Sequence, residues 1–249
     1  MVTVVLILFA LAVLFYILLK YLINQSKHPS GFIGRSMMKL WNRVYLPMAR
    51  WSLSLLSRNA YKTILDIGVG NGASTAYLHQ LFPNSQIRGM DISAEAIAQA
   101  QQHYQQENVS FEVMDVSHLS YPSQSFDLIC AFQTHFHWPD LKQALLEIKR
   151  VLANNGQLLL ACEGSKLKYY LPELKDDAAF ASYLESMGLC LMASDRKADW
   201  LSYQIGKKAM RLKHYFCVPI LMMLLLCLKL LQTRISLKRK SFSFLQLEM

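Results

Sequence analysis

Leu65-Asp66-Ile67-Gly68-Val69-Gly70-Asn71-Gly72 decides how this chain folds: an apolar strand runs into three glycines at alternate positions and then into Ala73-Ser74-Thr75, where a helical pattern begins. Glycine admits the left-handed backbone that a sharp strand-to-helix turn requires, and it lets main chain come close to a ligand. The first N–H groups of the following helix lack intrahelical partners, so they favour a carboxylate or a phosphate. Because Ala73 follows Gly72, the segment also satisfies the Gly-x-Gly-x-x-Gly/Ala dinucleotide fingerprint, and Asp91 stands at a distance suited to a ribose diol in either reading.

Outward from this turn, short apolar runs alternate with amphipathic ones. Thr63–Ile67, Gln86–Met90, Val109–Met114, Phe126–Phe132 and Gln157–Cys162 read as strands, while Ala73–Phe82, Ala94–Gln106 and Leu141–Leu152 read as helices. Strand, helix, strand in repetition predicts a Rossmann-like, doubly wound α/β fold with a mostly parallel sheet. A helix over Pro172–Met187 and two further strands, Leu189–Ala193 and Trp200–Ile205, complete a domain spanning residues 61–206. Upstream, residues 28–60 form an amphipathic leader; Met37, Leu40, Trp41, Val44, Tyr45, Met48 and Trp51 recur at helical spacing, and Pro47 predicts a break into two pieces.

The charge is unevenly placed. Residues 1–60 carry seven Lys/Arg and no Asp/Glu, residues 207–249 carry nine against Glu248, and residues 61–206 are acidic. The basic excess therefore lies beside the two longest apolar runs, as expected for segments meeting an anionic bilayer, and no nucleic-acid partner is expected of the acidic middle. Val2–Leu19, broken only by Thr3, would span about 27 Å as a helix, close to the ~30 Å hydrocarbon core. Residues 1–23 are thus a transmembrane anchor. The basic residues after the run predict a membrane localisation with the following domain on the cytoplasmic side. Residues 207–249 form a basic, apolar, membrane-associated tail containing the run Phe216–Leu231. The five cysteines have no C-x-x-C pairing and no histidine at zinc spacing, so no metal site is expected.

Four motifs in order then resolve the glycine turn. Asp66 precedes the first glycine by two residues; Gly89-Met90-Asp91-Ile92-Ser93 ends the second strand; Val113-Met114-Asp115-Val116 closes the third, ahead of Ser125-Phe126-Asp127-Leu128-Ile129; and Glu147-Ile148-Lys149-Arg150-Val151-Leu152 leads through Asn154-Asn155-Gly156 into Gln157-Leu158-Leu159-Leu160. Across residues 28–165 the chain resembles the class I S-adenosylmethionine-dependent methyltransferase family. Asn155 departs from that family's glycine, and the likeness fades after Cys162. The resemblance implies S-adenosylmethionine as cofactor, with Gly68, Gly70 and Gly72 giving close backbone approach and Asp66 near its amino-acid end. It implies Asp91, followed by Ile92, at the ribose hydroxyls, and Asp115 with the Val116 N–H at the adenine.

After the fourth strand, Gln133-Thr134-His135-Phe136-His137-Trp138 falls at the carboxyl end of the sheet, where open α/β folds place their ligands. Gln133 belongs to the expected cofactor set. His135 or His137 is the candidate general base, weighed against polar residues that only shape the pocket. A small-molecule acceptor of apolar or membrane-associated character follows from the aromatic residues here and from the anchor. Two rival readings are a nicotinamide-dependent reductase, which leaves Asp66 without a role, and a membrane protein that binds the cofactor without transferring a methyl group.

Overall fold

In a computed structural model that describes residues 2–27, 31–57 and 60–208, the apolar runs form β1 (Thr63–Ile67), β2 (Gln86–Asp91), β3 (Val109–Val113), β4 (Phe126–Phe132), β5 (Leu152–Glu163), β6 (Leu189–Lys197) and β7 (Trp200–Lys207). One sheet holds them in the order β3-β2-β1-β4-β5-β7-β6. The first five are parallel, and β7 enters antiparallel between β5 and β6. The order of a nicotinamide-type double Rossmann sheet, 3-2-1-4-5-6, is thereby broken at its far edge.

The helices are α1 (Val2–Lys27), α2 (Gly31–Ser54), α3 (Ala73–Leu81), α4 (Ala94–Tyr104), α5 (Leu141–Val151), α6 (Gly164–Tyr170) and α7 (Asp177–Ser186). α2, α3 and α4 cover one face of the sheet, and α5 and α7 the other. Along β4, Phe126, Ile129 and Ala131 join a core with α5 and α7, whereas Leu128, Cys130 and Phe132 join a second core with α2, α3 and α4. Strands buried on both faces read as continuous apolar runs, which is why Phe126–Phe132 was legible. In α5, Leu141, Ala144, Leu145, Ile148 and Val151 line the buried face, and the Asp140 carboxylate caps the start by accepting from the Gln143 N–H at 2.9 Å.

Three expectations need correction. Pro47 does not divide the leader: α2 is continuous from Gly31 to Ser54. An interior proline costs about 3 kcal/mol; burial of Met48, Ala49 and Leu53 against the sheet, immediately beyond it, offsets that cost. The helix expected over Pro172–Met187 is a 3-10 turn, Pro172–Leu174, and then α7, because Asp176 caps a new start by accepting from the Ala179 N–H. Asn154-Asn155-Gly156 is not a free turn, since β5 begins at Leu152 and its pairing with β4 shifts register there. A Cβ on Gly156 would stand 2.9 Å from the Phe126 carbonyl oxygen.

α1 is a single apolar helix, and Leu6–Ile23, with mean hydropathy 2.6, is long and apolar enough to cross a membrane. The side chains from Leu6 to Leu19 are exposed. The run Phe216–Leu231 lies outside the described residues. β7 runs away from the carboxyl ends of the parallel strands, Trp200 opposite Glu163 and Gly206 opposite Gln157, so the described chain ends on the side of their amino ends, opposite the glycine turn.

Candidate cofactor and acceptor site

The carboxyl ends of β1 and β4 meet where the strand order reverses, and the predicted residues gather there. Gly68, Gly70 and Gly72 all have positive φ, at 74°, 54° and 88°. Their tasks differ. A Cβ on Gly68 would lie 2.3 Å from Thr134 Cγ2, so this glycine lets the turn press against the loop after β4. A Cβ on Gly72 would meet Ala100 and Tyr104 of α4 at 3.0 Å, which makes Gly72 a packing position rather than the ligand-facing one expected. Only Gly70 faces open space, with nothing within 4 Å.

Asp91 organises the turn. Its carboxylate accepts from the Gly70 N–H and the Ser93 N–H, both at 2.9 Å, while the Gly68 N–H donates to the Met90 carbonyl at 2.7 Å. Burial raises the Asp91 pKa against the pull of these N–H groups. A carboxylate has about four acceptor positions, so Asp91 retains capacity to accept from a ribose hydroxyl. Next to it, Ile92 is 60% exposed. The Met114 N–H donates to the Asp91 carbonyl at 3.0 Å, bringing Asp115 alongside; Asp115 accepts from the Ser117 N–H, and Val116 is buried. This loop is fixed from below by Arg150, which donates to the Leu119 and Tyr121 carbonyls, and by Glu147, which accepts from the Leu119 N–H.

Asp66 is buried under the turn. Ser74 and Thr75, which sequence reasoning missed, each donate a hydroxyl to Asp66 Oδ2 at 2.7 Å. Burial pushes its carboxyl up to about 6, against these hydrogen bonds. Asp66 Oδ1, Gln133 Nε2 and Thr134 Oγ1 are buried without a protein partner. Such atoms each cost roughly 1–3 kcal/mol unless a ligand or water answers them. Gln133, with φ 60°, ties β4 to β5: its N–H donates to the Ala161 carbonyl and its side-chain oxygen accepts from the Glu163 N–H.

The two histidines separate. His135 is 1% exposed, neither ring nitrogen has a partner, and burial pulls its imidazole down to about 4. It is neutral at physiological pH and too enclosed to meet an acceptor as a base. His137 is exposed and packs edge-on to Tyr170 at 4.9 Å. Phe136 stacks on Tyr170 at 5.4 Å, and Tyr169 is 78% exposed. These tyrosines end α6, a seven-residue helix too short to show a sequence period.

A family model described as a methyltransferase domain matches residues 65–160. The malonyl-[acyl-carrier protein] O-methyltransferase of Bacillus cytotoxicus is 35% identical over 124 residues, 48% of this chain and 43% of that protein. A fatty-acid O-methyltransferase of Mycolicibacterium smegmatis is 25% identical over 112 residues, 45% and 40% of the two chains. The fold matches a solved S-adenosylmethionine-dependent methyltransferase from Methanococcus maripaludis with TM-score 0.59 at 18% identity, over 72% of this chain and 93% of that one. Residues 65–160 are thus a methyltransferase domain, and the fold around them is that of the class I S-adenosylmethionine-dependent methyltransferases. The chain spans about half the length of the curated relatives it matches.

S-adenosylmethionine is accordingly the cofactor of the methyltransferase domain, and the residues present fit it. The space over Gly70 admits a group that a side chain would displace, Asp91 retains acceptor capacity for a ribose hydroxyl, and the orphaned Asp66 and Gln133 atoms offer one acceptor and one donor. A reductase has no comparable support. Tyr203 and Lys207 stand at the Tyr-x-x-x-Lys spacing of reductase pairs, but they lie along the extended β7, with the Tyr203 ring buried and its hydroxyl donating to Asp177. Among the described residues no group of three His, Cys, Asp or Glu could hold a metal ion.

Proposed function

We propose that this protein is a membrane-anchored methyltransferase acting on an amphiphilic small molecule from the cytoplasmic side of a bilayer. The observation that carries the reading is one continuous stretch of chain, in which α1, long and apolar enough to span, leads directly into the helix packed on the methyltransferase domain. Bound S-adenosylmethionine supplies an electrophilic methyl group on a cationic sulfonium. Asp91 would hold its ribose hydroxyls, the Gly68–Gly70 turn would admit its backbone-facing side, and Asp66 and Gln133 would answer its amino-acid end. Asp115 and the Val116 N–H would take the adenine, with Ile92 along its edge.

Methyl transfer of this kind depends chiefly on alignment and proximity. Tyr170, stacked on the buried Phe136, and exposed Tyr169 offer apolar surface at the mouth, and His137 offers one polar group there. The malonyl group and the fatty acid named for two relatives each carry a carboxylate, which suggests the acceptor chemistry, for a carboxylate is already ionised at neutral pH and needs no base. That agrees with a neutral, enclosed His135.

Sealed membrane vesicles holding the protein, given methyl-labelled cofactor from outside, separate the possibilities. Inverted vesicles should incorporate label into the lipid-extractable fraction, and right-side-out vesicles should not. Label found only in protein or water-soluble product would sink the acceptor class; equal labelling of both vesicle types would sink the orientation; and no label with the cofactor bound would leave a binding protein.

A further inference from the structure

α2 crosses the mouth of the site. Its first residue, Gly31, donates its N–H to Glu95 at 3.0 Å, and Glu95 begins α4 just beyond the end of β2. Fourteen residues on, the Tyr45 hydroxyl accepts from Lys166 at 2.7 Å, and Lys166, paired with Glu163 at 2.9 Å, stands just beyond the end of β5. β2 and β5 flank β1 and β4 in the sheet. Three strand spacings separate them by about 14 Å, and the helix from Gly31 to Tyr45 rises about 21 Å. This segment is therefore a strap across the carboxyl ends of β1 and β4, held at both sides of the glycine turn.

The strap is apolar on a side that the protein leaves uncovered. Ile33, Leu40 and Val44, which fall within about 40° of one another on a helix, are 42%, 56% and 46% exposed, and Phe32 at its start is 75% exposed. Only three residues separate Lys27, the end of α1, from Gly31. Four Cα steps of 3.8 Å allow at most about 15 Å between them whatever path they take. With α1 across the bilayer, the strap must begin at headgroup depth. Its sequence adds Arg35, Lys39 and Arg43 and no acidic residue, which matches an anionic surface and the composition of helices that lie in an interface.

We infer that α2 between Gly31 and Tyr45 lies in the headgroup layer of an anionic bilayer, so that the mouth beneath it opens at the membrane surface. The acceptor then keeps its apolar part in the bilayer while its polar head enters under the strap. This rests on the anchoring role of α1 proposed above. The basic tail, whose described root at Lys207 and Lys208 lies on the side of the amino ends of the parallel strands, is not needed for it.

Nitroxide accessibility in the full chain, reconstituted in phosphatidylethanolamine and phosphatidylglycerol vesicles, tests it. Leu40→Cys on the strap, Leu11→Cys on α1 and Glu107→Cys on the far edge would be labelled singly, with the signal of the labelled parent protein subtracted. Both Leu11→Cys and Leu40→Cys should show a several-fold higher ratio of oxygen to nickel-chelate accessibility than Glu107→Cys. A high ratio at residue 11 with residue 40 matching residue 107 overturns the interfacial strap and leaves the anchor standing; residue 11 matching residue 107 overturns both. Val44→Cys gives a second reading should Leu40→Cys fail to fold.

Discussion

Gly68→Ala should cost about 2–5 kcal/mol of folding stability and abolish measurable cofactor binding, a larger loss than at either neighbouring glycine of the motif. A left-handed backbone disfavours any Cβ by about 1–2 kcal/mol, and forcing an extra methyl into a packed site adds roughly 1–3. At φ 74° the new Cβ would stand 2.3 Å from Thr134 Cγ2 and 2.9 Å from its Cβ, so the turn or the loop after β4 must move. Gly70→Ala is the informative contrast. Its methyl meets nothing within 4 Å, so the fold should lose only the ~1–2 kcal/mol of backbone strain while the methyl occupies the space assigned to the cofactor. Urea midpoints should separate the two variants, and cofactor affinity should fall in both. Equal stabilities would mean that Gly68 is not pressed against Thr134.

The second large effect is a pair of opposed pH dependences. Asp66 holds its proton up to about 6 in the fold against a reference of 3.8, so it favours the folded state fully below about pH 4, and that contribution is gone above about pH 6. His135 goes the other way. Its imidazole protonates only near 4 in the fold against 6.5, so it favours the folded state above about pH 6.5 and loses that contribution as pH falls through 4. Each amounts to about 3 kcal/mol, and in the parent protein they largely cancel. Relative to the parent, Asp66→Asn should gain stability as pH rises from 4.5 to 6.5, and His135→Gln should lose it. Denaturation midpoints at four or five pH values decide the matter; two variants tracking the parent in parallel would show that neither group is buried as described.

The sheet was legible because β1, β4 and β5 are buried on both faces and their apolar runs admit no other period. The glycine turn and the acids ending β2 and β3 were legible because each is a local motif whose residues stand within one strand-to-helix junction. What escaped was non-local. Ser74 and Thr75 matter only because Asp66 is buried and needs donors, which the sequence does not display. The division of labour among the glycines depends on Thr134, Ala100 and Tyr104, all distant in sequence. His135 and His137 look equivalent as letters two apart, yet the 3-10 turn over His135–His137 sends one inward and the other to solvent. Likewise Pro47 signalled a break that tertiary burial of Met48 and Leu53 overrode.

Titration calorimetry on the purified chain tests the central claim most directly, that the glycine turn and Asp91 hold S-adenosylmethionine. The cofactor and its demethylated product should both bind, NAD should give no heat, and Asp91→Ala should weaken binding by about 10- to 150-fold, the worth of hydrogen bonds to a charged group at roughly 1.5–3 kcal/mol. Binding of NAD with comparable affinity, or an Asp91→Ala variant that binds S-adenosylmethionine as tightly as the parent, would contradict it.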